Sequence, residues 1–139
     1  DSNSTITRYG LLREAITVGT YNTKSNTMWI GSSKGPAKVD DFILDIVAPG
    51  VDIISNYLDN TFNTGTGISS SVVCAVIALL IEFIISETDF YRLSIYSEPI
   101  KTYLMLGASQ KLIYTYPNTS YGYGILNYQN TLQRISENL

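Results

Sequence analysis

The chain has 139 residues, about the size of one domain, and 45% of them are hydrophobic while 15% are charged, which is typical of a protein with a core. Nine basic and twelve acidic residues give a net charge of −3, which argues against a broad basic surface for nucleic acid. A single cysteine, Cys74, excludes an internal disulfide and a cysteine-built metal cage. The sequence contains no histidine, so this chain by itself cannot complete Ser–His, Cys–His or histidine–metal chemistry.

The first half of the chain predicts short strands separated by turns. The predicted elements are, in order, a strand at 16–21, a turn at 22–26, a loop at 31–41, a short buried strand at 42–48 and an extended segment at 51–55. Pro49 and Gly50 are expected to end the buried strand. The polar segment 56–66 is expected to form turns.

A long apolar run follows and predicts a helix. Of the 14 residues at 72–85, 13 are apolar, and Glu82 is the only charged residue among them. A helix that is apolar on all sides lies either in a large core or in a membrane. The run is shorter than the roughly 20 residues of a membrane span, so we predict a buried helix over 67–85 and no membrane span. Cys74 is expected to be a small buried hydrophobic residue, and Glu82 is expected to reach solvent.

The second half of the chain predicts two further helices and a loop. After a polar connection at 86–97, the predicted elements are a helix at 98–106 ended by Gly107, a tyrosine-rich loop at 114–124 and a closing helix at 125–138. Leu126, Leu132 and Ile135 of the closing helix are expected to face inward. The tyrosine-rich loop is expected to pack around a helix end.

Four segments, in a fixed order, carry the functional information. They are Ala-Ile-Thr-Val-Gly-Thr at 15–20, Asp-Ile-Val-Ala-Pro-Gly-Val-Asp-Ile at 45–53, Gly-Thr-Gly-Ile-Ser-Ser-Ser at 65–71 and Gly-Tyr-Gly-Ile-Leu-Asn at 122–127. Their order and spacing closely resemble the carboxy-terminal part of the subtilisin-like serine protease domain. The resemblance implies an α/β, three-layer fold with a parallel sheet and a long buried central helix. It also implies that residues 1–139 are the carboxy-terminal part of a subtilase domain and not an independent domain.

A finer resemblance is to the clostridial Csp subfamily, the subtilases of spore germination. It is carried by Ile-Thr-Val-Gly-Thr-Tyr-Asn at 16–22, Asp-Ile-Val-Ala-Pro-Gly at 45–50, Ile-Lys-Thr-Tyr-Leu at 100–104 with Gly-Ala at 107–108, and Tyr-Pro-Asn at 116–118. This resemblance implies a place in the cortex or coat region of the bacterial spore and a role in regulating germination. The partners it implies are the upstream portion of the same subtilase, as another chain or a cleaved segment, and an active Csp-type protease or a germinant.

The nucleophile position of the family is the most informative departure. In the family a nucleophilic serine opens the long helix, where its backbone N–H lies in the oxyanion site, while a histidine takes its proton and an aspartate orients the histidine. The aligned position here is Gly67, which follows Gly65 and Thr66. Glycine has no side chain to attack a carbonyl, so the resemblance implies a pseudoprotease with no functional catalytic residue. The family's aspartate, histidine and oxyanion asparagine lie upstream of the matched segments.

Two alternatives stay open at this point. One is an active serine endopeptidase in which Gly67 is engineered or misaligned and a residue of the nearby serine run, 69–71, is the nucleophile. The other is a membrane-anchored binding module that uses the helix at 67–85. No cofactor and no metal ion is expected. Asp40, Asp41 and Asp45 match no EF-hand spacing, so a solvated loop is favoured over a cation site.

Overall fold

The computed structural model describes residues 5–7, 10, 12–36, 44–54, 61–87 and 97–137. These residues contain five strands and three helices. In chain order they are β1 (Val18–Asn22), β2 (Thr27–Met28), β3 (Ile46–Pro49), β4 (Ile53–Ile54), β5 (Phe62–Asn63), α1 (Thr66–Glu87), α2 (Ser97–Gly107) and α3 (Tyr128–Ser136).

The main sheet has three strands in the order β2-β1-β3. β1 and β3 run parallel, with Val18 opposite Ile46, and β2 pairs antiparallel with the end of β1 across a tight turn. On the far side of β3, a parallel bridge joins Val47 to Ile125. The predicted parallel sheet is therefore present, and β3 lies between two neighbours. β4 and β5 form their own antiparallel pair just before α1.

Side chains of β3 alternate between two hydrophobic clusters, as the pleat of a strand requires. Ile46 and Ala48 are fully buried against helix residues that include Leu80 and Leu104. Val47 points to the opposite side of the sheet, where a second cluster contains Tyr21, Leu44 and Tyr121. The described part of the chain is thus a sheet with the three helices on one face and tyrosine-rich loops on the other.

Helix α1 has the predicted position but not the predicted burial. Ser69, Val73, Leu80 and Ile84 are buried on the face toward the sheet. Cys74 is exposed, so its predicted burial is wrong for this chain, because it lies on the face that points away from the sheet. Over Thr66–Ser86 the mean hydropathy is 2.5 with 22% of the helix window buried, so by length and composition this helix could also cross a membrane.

The prediction of a solvated loop is wrong for Asp45, which is buried. Its carboxylate accepts a hydrogen bond from the backbone N–H of Thr17 at 2.6 Å and pairs with the Lys101 ammonium at 2.9 Å. Lys101 also donates to the carbonyl oxygens of Ala15 at 2.8 Å and Arg13 at 3.2 Å. This cluster compensates the desolvation of both charges and ties α2 to the starts of β1 and β3.

Helices α2 and α3 pack closely on each other. Gly107 is the last residue of α2, and a Cβ there would lie only 2.4 Å from Thr131 Oγ1 and 2.5 Å from Thr131 Cα. α3 begins at Tyr128 rather than at the predicted residue 125, because the Asn127 side chain accepts a hydrogen bond from the Asn130 N–H at 3.0 Å and caps the helix. Leu126, Leu132 and Ile135 pack into the core as predicted.

The remaining element predictions hold only in part, since β5 (Phe62–Asn63) lies in the segment 56–66 that was predicted to form turns, and β3 begins at Ile46 rather than at residue 42. The strand predicted at 16–21 is observed at Val18–Asn22, and Pro49 is the last residue of β3. α1 continues to Glu87, into the connection predicted at 86–97. Asp40 and Asp41, with the predictions for 37–43, 55–60 and 88–96, lie outside the described residues.

Candidate functional site

The candidate site is the junction between the end of β3 and the start of α1. The backbone N–H of Gly50 donates to the Tyr21 carbonyl at 3.2 Å, and the Gly50 carbonyl accepts from the Gly65 N–H at 2.8 Å. A Cβ on Gly50 would lie 2.1 Å from Ser69 Oγ and 2.9 Å from the Gly65 carbonyl oxygen. Only glycine lets the start of the helix approach the strand this closely.

The Ser69 side chain connects the first turn of α1 to the sheet by hydrogen bonds. It is fully buried, and its Oγ lies 2.9 Å from the Ala48 carbonyl oxygen and 3.0 Å from Thr20 Oγ1. The hydroxyl is therefore engaged with the strands. Ser69 is a structural residue, and sequence analysis had no signal for its two partners, which are distant along the chain.

Gly65, Thr66 and Gly67 come together at the start of α1, as the motif predicts. Gly67 is exposed, and a Cβ built on either Gly65 or Gly67 meets no described atom within 4 Å. Gly67 has helical backbone rather than the left-handed conformation that requires glycine. Neither packing nor backbone strain therefore demands glycine at position 67, and a serine side chain would fit there.

The neighbouring serines differ from each other in what they contact. Ser71 is exposed and donates its hydroxyl to the Gly67 carbonyl at 2.9 Å, one turn earlier in the helix. Ser70 is exposed on the same turn. Neither can be activated by a histidine of this chain, because the sequence has none.

One ion pair lies near the site. The carboxylate of Asp52, which precedes β4, forms an ion pair with Lys24 at 2.9 Å. The Asp52 N–H donates to Thr64 Oγ1 at 2.9 Å, which fixes the approach to Gly65. Within the described ranges, no group of three or more His, Cys, Asp or Glu residues could hold a metal ion.

The tyrosine-rich loop packs on the sheet rather than around a helix end, so that expectation is wrong. Tyr121 is buried, stacks on Tyr114 with ring centroids 5.3 Å apart and meets Tyr21 edge-on at 6.4 Å. The Lys111 ammonium lies 5.3 Å from the Tyr21 ring centroid and 5.4 Å from that of Tyr121. Burial, and then the neighbouring Tyr114, raise the pKa of the Tyr121 phenol above 10.0.

Comparison with known proteins decides the family. A sequence model of the subtilase family matches residues 1–124. The chain belongs to the subtilase family. This subtilase is similar to the CspB protease of Clostridium perfringens, with 32% sequence identity and a TM-score of 0.82 over 95% of this chain and 29% of that one. No curated protein matches it.

Two further solved structures share the fold. The prenylagaramide maturation protease PagA is 22% identical with a TM-score of 0.68, over 88% of this chain and 42% of that one. The PatG macrocyclase domain is 19% identical with a TM-score of 0.68, over 95% of this chain and 39% of that one. The subtilase thus spans less than half the length of each of these three proteins.

These findings confirm the resemblance to subtilases and to the Csp proteins, and with it the α/β subtilisin-like fold. The assignment of residues 1–139 to the carboxy-terminal part of a domain stays a prediction, as does the role of Gly67.

Proposed function

We propose that this subtilase is a catalytically inactive pseudoprotease. The observation that carries the proposal is Gly67, which lies exposed in the first turn of α1 and which the resemblance aligns with the family's nucleophile. Acyl transfer needs a nucleophile with an adjacent base, and this chain supplies neither at that point. Of the three serines that follow, Ser69 is buried in the sheet contact and is not available to a substrate.

The start of α1 can still bind a peptide carbonyl, although it cannot react with one. At the start of an α-helix the first backbone N–H groups have no intrahelical acceptor, and the helix dipole favours negative charge there. Gly67 lies at this position, with open space around it. Such a site holds a peptide carbonyl by hydrogen bonds but forms no acyl-enzyme.

The biological role that we propose is regulation of bacterial spore germination, in the cortex or coat region of the spore. It is supported by the resemblance to the Csp subfamily and by the similarity to the CspB protease. The partners are the upstream portion of the same subtilase and an active Csp-type protease, or a germinant, that the exposed start of α1 engages.

A bulky side chain at position 67 tests this role. In spores of the organism that encodes the chain, Gly67→Trp should leave the protein folded and present at normal levels, because its side chain enters open space. We expect germination to be lost, since the indole covers the start of α1 that we propose as the binding site. Gly67→Ala is the matched control and should germinate normally. Normal germination with Gly67→Trp would place the function elsewhere on the molecule.

One observation favours a membrane-anchored binding module as a second candidate. Thr66–Ser86 has the length and hydropathy of a membrane span. Against it, Ser69, Val73 and Leu80 of the same helix are buried against the sheet, which is how a core helix packs. Flotation of the full chain with phosphatidylcholine vesicles would support the second candidate, and a chain that stays with the soluble fraction would support the first.

A further inference from the structure

A cavity of about 390 Å³ lies between the end of α2 and the exposed side of α3. Its lining consists of Leu106, Ala108, Gln110, Asn130, Gln133 and Arg134. The cavity shares no residue with the start of α1, so it is a different site from the one at Gly67. Cavities that bind small ligands measure about 300–1,000 Å³, so this one is large enough for a ligand the size of one or two amino-acid residues.

The walls of the cavity are held in place by the packing of α2 on α3. A Cβ on Gly107 would lie only 2.4 Å from Thr131 Oγ1, so the two helices touch directly beside the cavity. The backbone of Ser109 exchanges two hydrogen bonds with Ile125, at 2.8 and 2.9 Å, and Ser109 Oγ accepts a third from Asn127 Nδ2 at 2.8 Å. A ligand therefore meets walls that are already formed, which lowers the entropy cost of binding.

The lining offers unused hydrogen-bonding groups beside an apolar wall. The side-chain amide of Asn130 forms no hydrogen bond with any residue that the structure describes. Gln110 Nε2 donates to the Tyr123 carbonyl at 3.0 Å, so the Gln110 carbonyl oxygen remains as an acceptor. Leu106, which is 63% exposed, forms the apolar wall together with Ala108. A donor and an acceptor from two amides match the C=O and N–H of one peptide group.

The charge of the lining favours a carboxylate. Arg134 is the only charged residue among the six, and it acts together with Gln133. Gln133 Nε2 donates to Glu137 Oε1 at 2.8 Å, and Arg134 Nη1 lies 3.5 Å from Glu137 Oε2. The two side chains thus already place one donor on each oxygen of a carboxylate. The side chains of Arg134 and Glu137 are 58% and 46% exposed, and an exposed ion pair adds little stability, so another carboxylate can take the place of Glu137.

We infer that this cavity, the α2–α3 cavity, binds the carboxy-terminal end of a peptide. Arg134 and Gln133 take the terminal carboxylate, and Asn130 and Gln110 pair with the last peptide group. The terminal side chain is apolar and lies against the apolar wall. Capture of a terminal carboxylate by positioned donors is an established way to recognise a peptide end. The inference does not rest on the inactivity of Gly67.

Three probes test the inference on the chain co-expressed with its upstream part. N-acetyl-Ala-Leu ends in a carboxylate, and N-acetyl-Ala-leucinamide has the same groups without the charge. We expect the acid to bind about tenfold more tightly, or more, because charge-assisted hydrogen bonds are the stronger ones. Free leucine lacks the peptide group and carries an ammonium for which the lining has no acidic side chain, so it should bind more weakly than the acid. Isothermal titration calorimetry measures the three dissociation constants.

Three variants show whether the carboxylate is held in the cavity. Arg134→Gln should weaken binding of the acid about tenfold, to the level of the carboxamide. Arg13→Gln is the matched control, because it removes an exposed arginine outside the lining, and it should leave both affinities unchanged. Glu137→Gln removes the competing carboxylate and should tighten binding of the acid about threefold, a gain that structural damage would not produce. Thermal melting of each variant checks its fold.

Several results would overturn the inference. Equal affinity for the acid and the carboxamide, or binding of neither, would show that the cavity does not recognise a terminal carboxylate. Equal effects of Arg134→Gln and Arg13→Gln would place any binding of the acid elsewhere on the molecule. Tighter binding of free leucine than of the acid would assign the cavity to a free amino acid. Weaker binding in Glu137→Gln would show that Glu137 does not compete with the ligand.

Discussion

Gly50 and Gly67 differ in whether the fold leaves room for a side chain. Gly50 lies in close contact, since a Cβ there would meet Ser69 Oγ at 2.1 Å, whereas Gly67 faces open space. A family motif alone does not separate them, because both belong to matched segments. The difference indicates that Gly50 is required by the fold, while glycine at position 67 is compatible with the fold but not required by it.

This difference is testable by thermal unfolding. Gly50→Ala should lower the free energy of unfolding by about 1–3 kcal/mol, because the added methyl group forces the start of α1 away from β3. Gly67→Trp should leave the melting temperature almost unchanged, and Gly65→Ala, also in open space, is the control. The measurement is made on the chain with its complementing part. If Gly50→Ala and Gly67→Trp are equally destabilising, Gly67 is a packed position and the site assignment fails.

The serines that follow Gly67 are expected to differ as well. Ser69→Ala removes both contacts of a buried hydroxyl and leaves the Ala48 carbonyl without this donor, so we expect a loss of about 1–3 kcal/mol. Ser71→Ala, on the exposed surface, should change stability by less than about 0.5 kcal/mol. Chemical denaturation of both variants checks this, and equal losses would mean that Ser69 does not hold the helix to the sheet.

At the scale of elements, the ion pair of Asp45 and Lys101 joins α2 to the starts of β1 and β3. Because both side chains are largely buried, removing one partner leaves an uncompensated charge. Lys101→Met should therefore destabilise the protein by about 3–5 kcal/mol, and Asp45→Asn combined with Lys101→Met should cost less than the single variant. If the double variant is as unstable as Lys101→Met, the lost pairing of charges does not explain the destabilisation.

Alkaline pH should weaken the packing of the tyrosine-rich loop on the sheet. Burial raises the pKa of Tyr121 in the folded state above its unfolded value of 10.0, so above pH 10 the unfolded state releases the proton first. The stability from this residue is full below pH 10 and is lost as the pH rises further. Tyr121→Phe should have a smaller fall in unfolding midpoint between neutral pH and pH 11, and an identical fall would contradict the assignment.

Most of the helices and strands could be predicted from the sequence, because local residue patterns determine them. Strand β1 and its turn follow from β-branched residues before a polar cluster, and α1 follows from its apolar run. The late start of α3 could also have been predicted, because Asn127 is a favoured helix cap. The burial of Asp45 could not, because it depends on Lys101, which lies far along the chain and approaches only in the folded state.

The same limit applies to the candidate site. The motif places Gly65, Thr66 and Gly67 at the helix start, and the structure agrees. The exposure of Cys74 was missed because hydrophobicity reports that a helix is apolar but not which of its faces this chain covers. Periodicity has no signal in a run where nearly every residue is apolar.

At the scale of the whole molecule, the chain is expected to depend on the rest of a subtilase domain. Each large apolar side chain that stays exposed loses about 1.5–3 kcal/mol of stabilisation from burial. The sum over several such side chains exceeds the free energy of unfolding of a typical domain, about 5–15 kcal/mol. We expect the isolated chain to be aggregated or molten and to fold when co-expressed with its upstream part. Size-exclusion chromatography and amide NMR spectra check this, and a monomer with dispersed signals and a cooperative melt would contradict it.

Labelling with a fluorophosphonate probe tests the central claim, that this subtilase is inactive, most directly. The probe modifies a serine only where a base activates it, and the CspB protease of Clostridium perfringens is the comparison for an active relative. With the complete domain assembled, we expect no labelling of this chain, because the resemblance aligns Gly67 with the nucleophile position. Covalent labelling that maps to Ser70 or Ser71 would contradict the account, since it would show a working nucleophile beside the site.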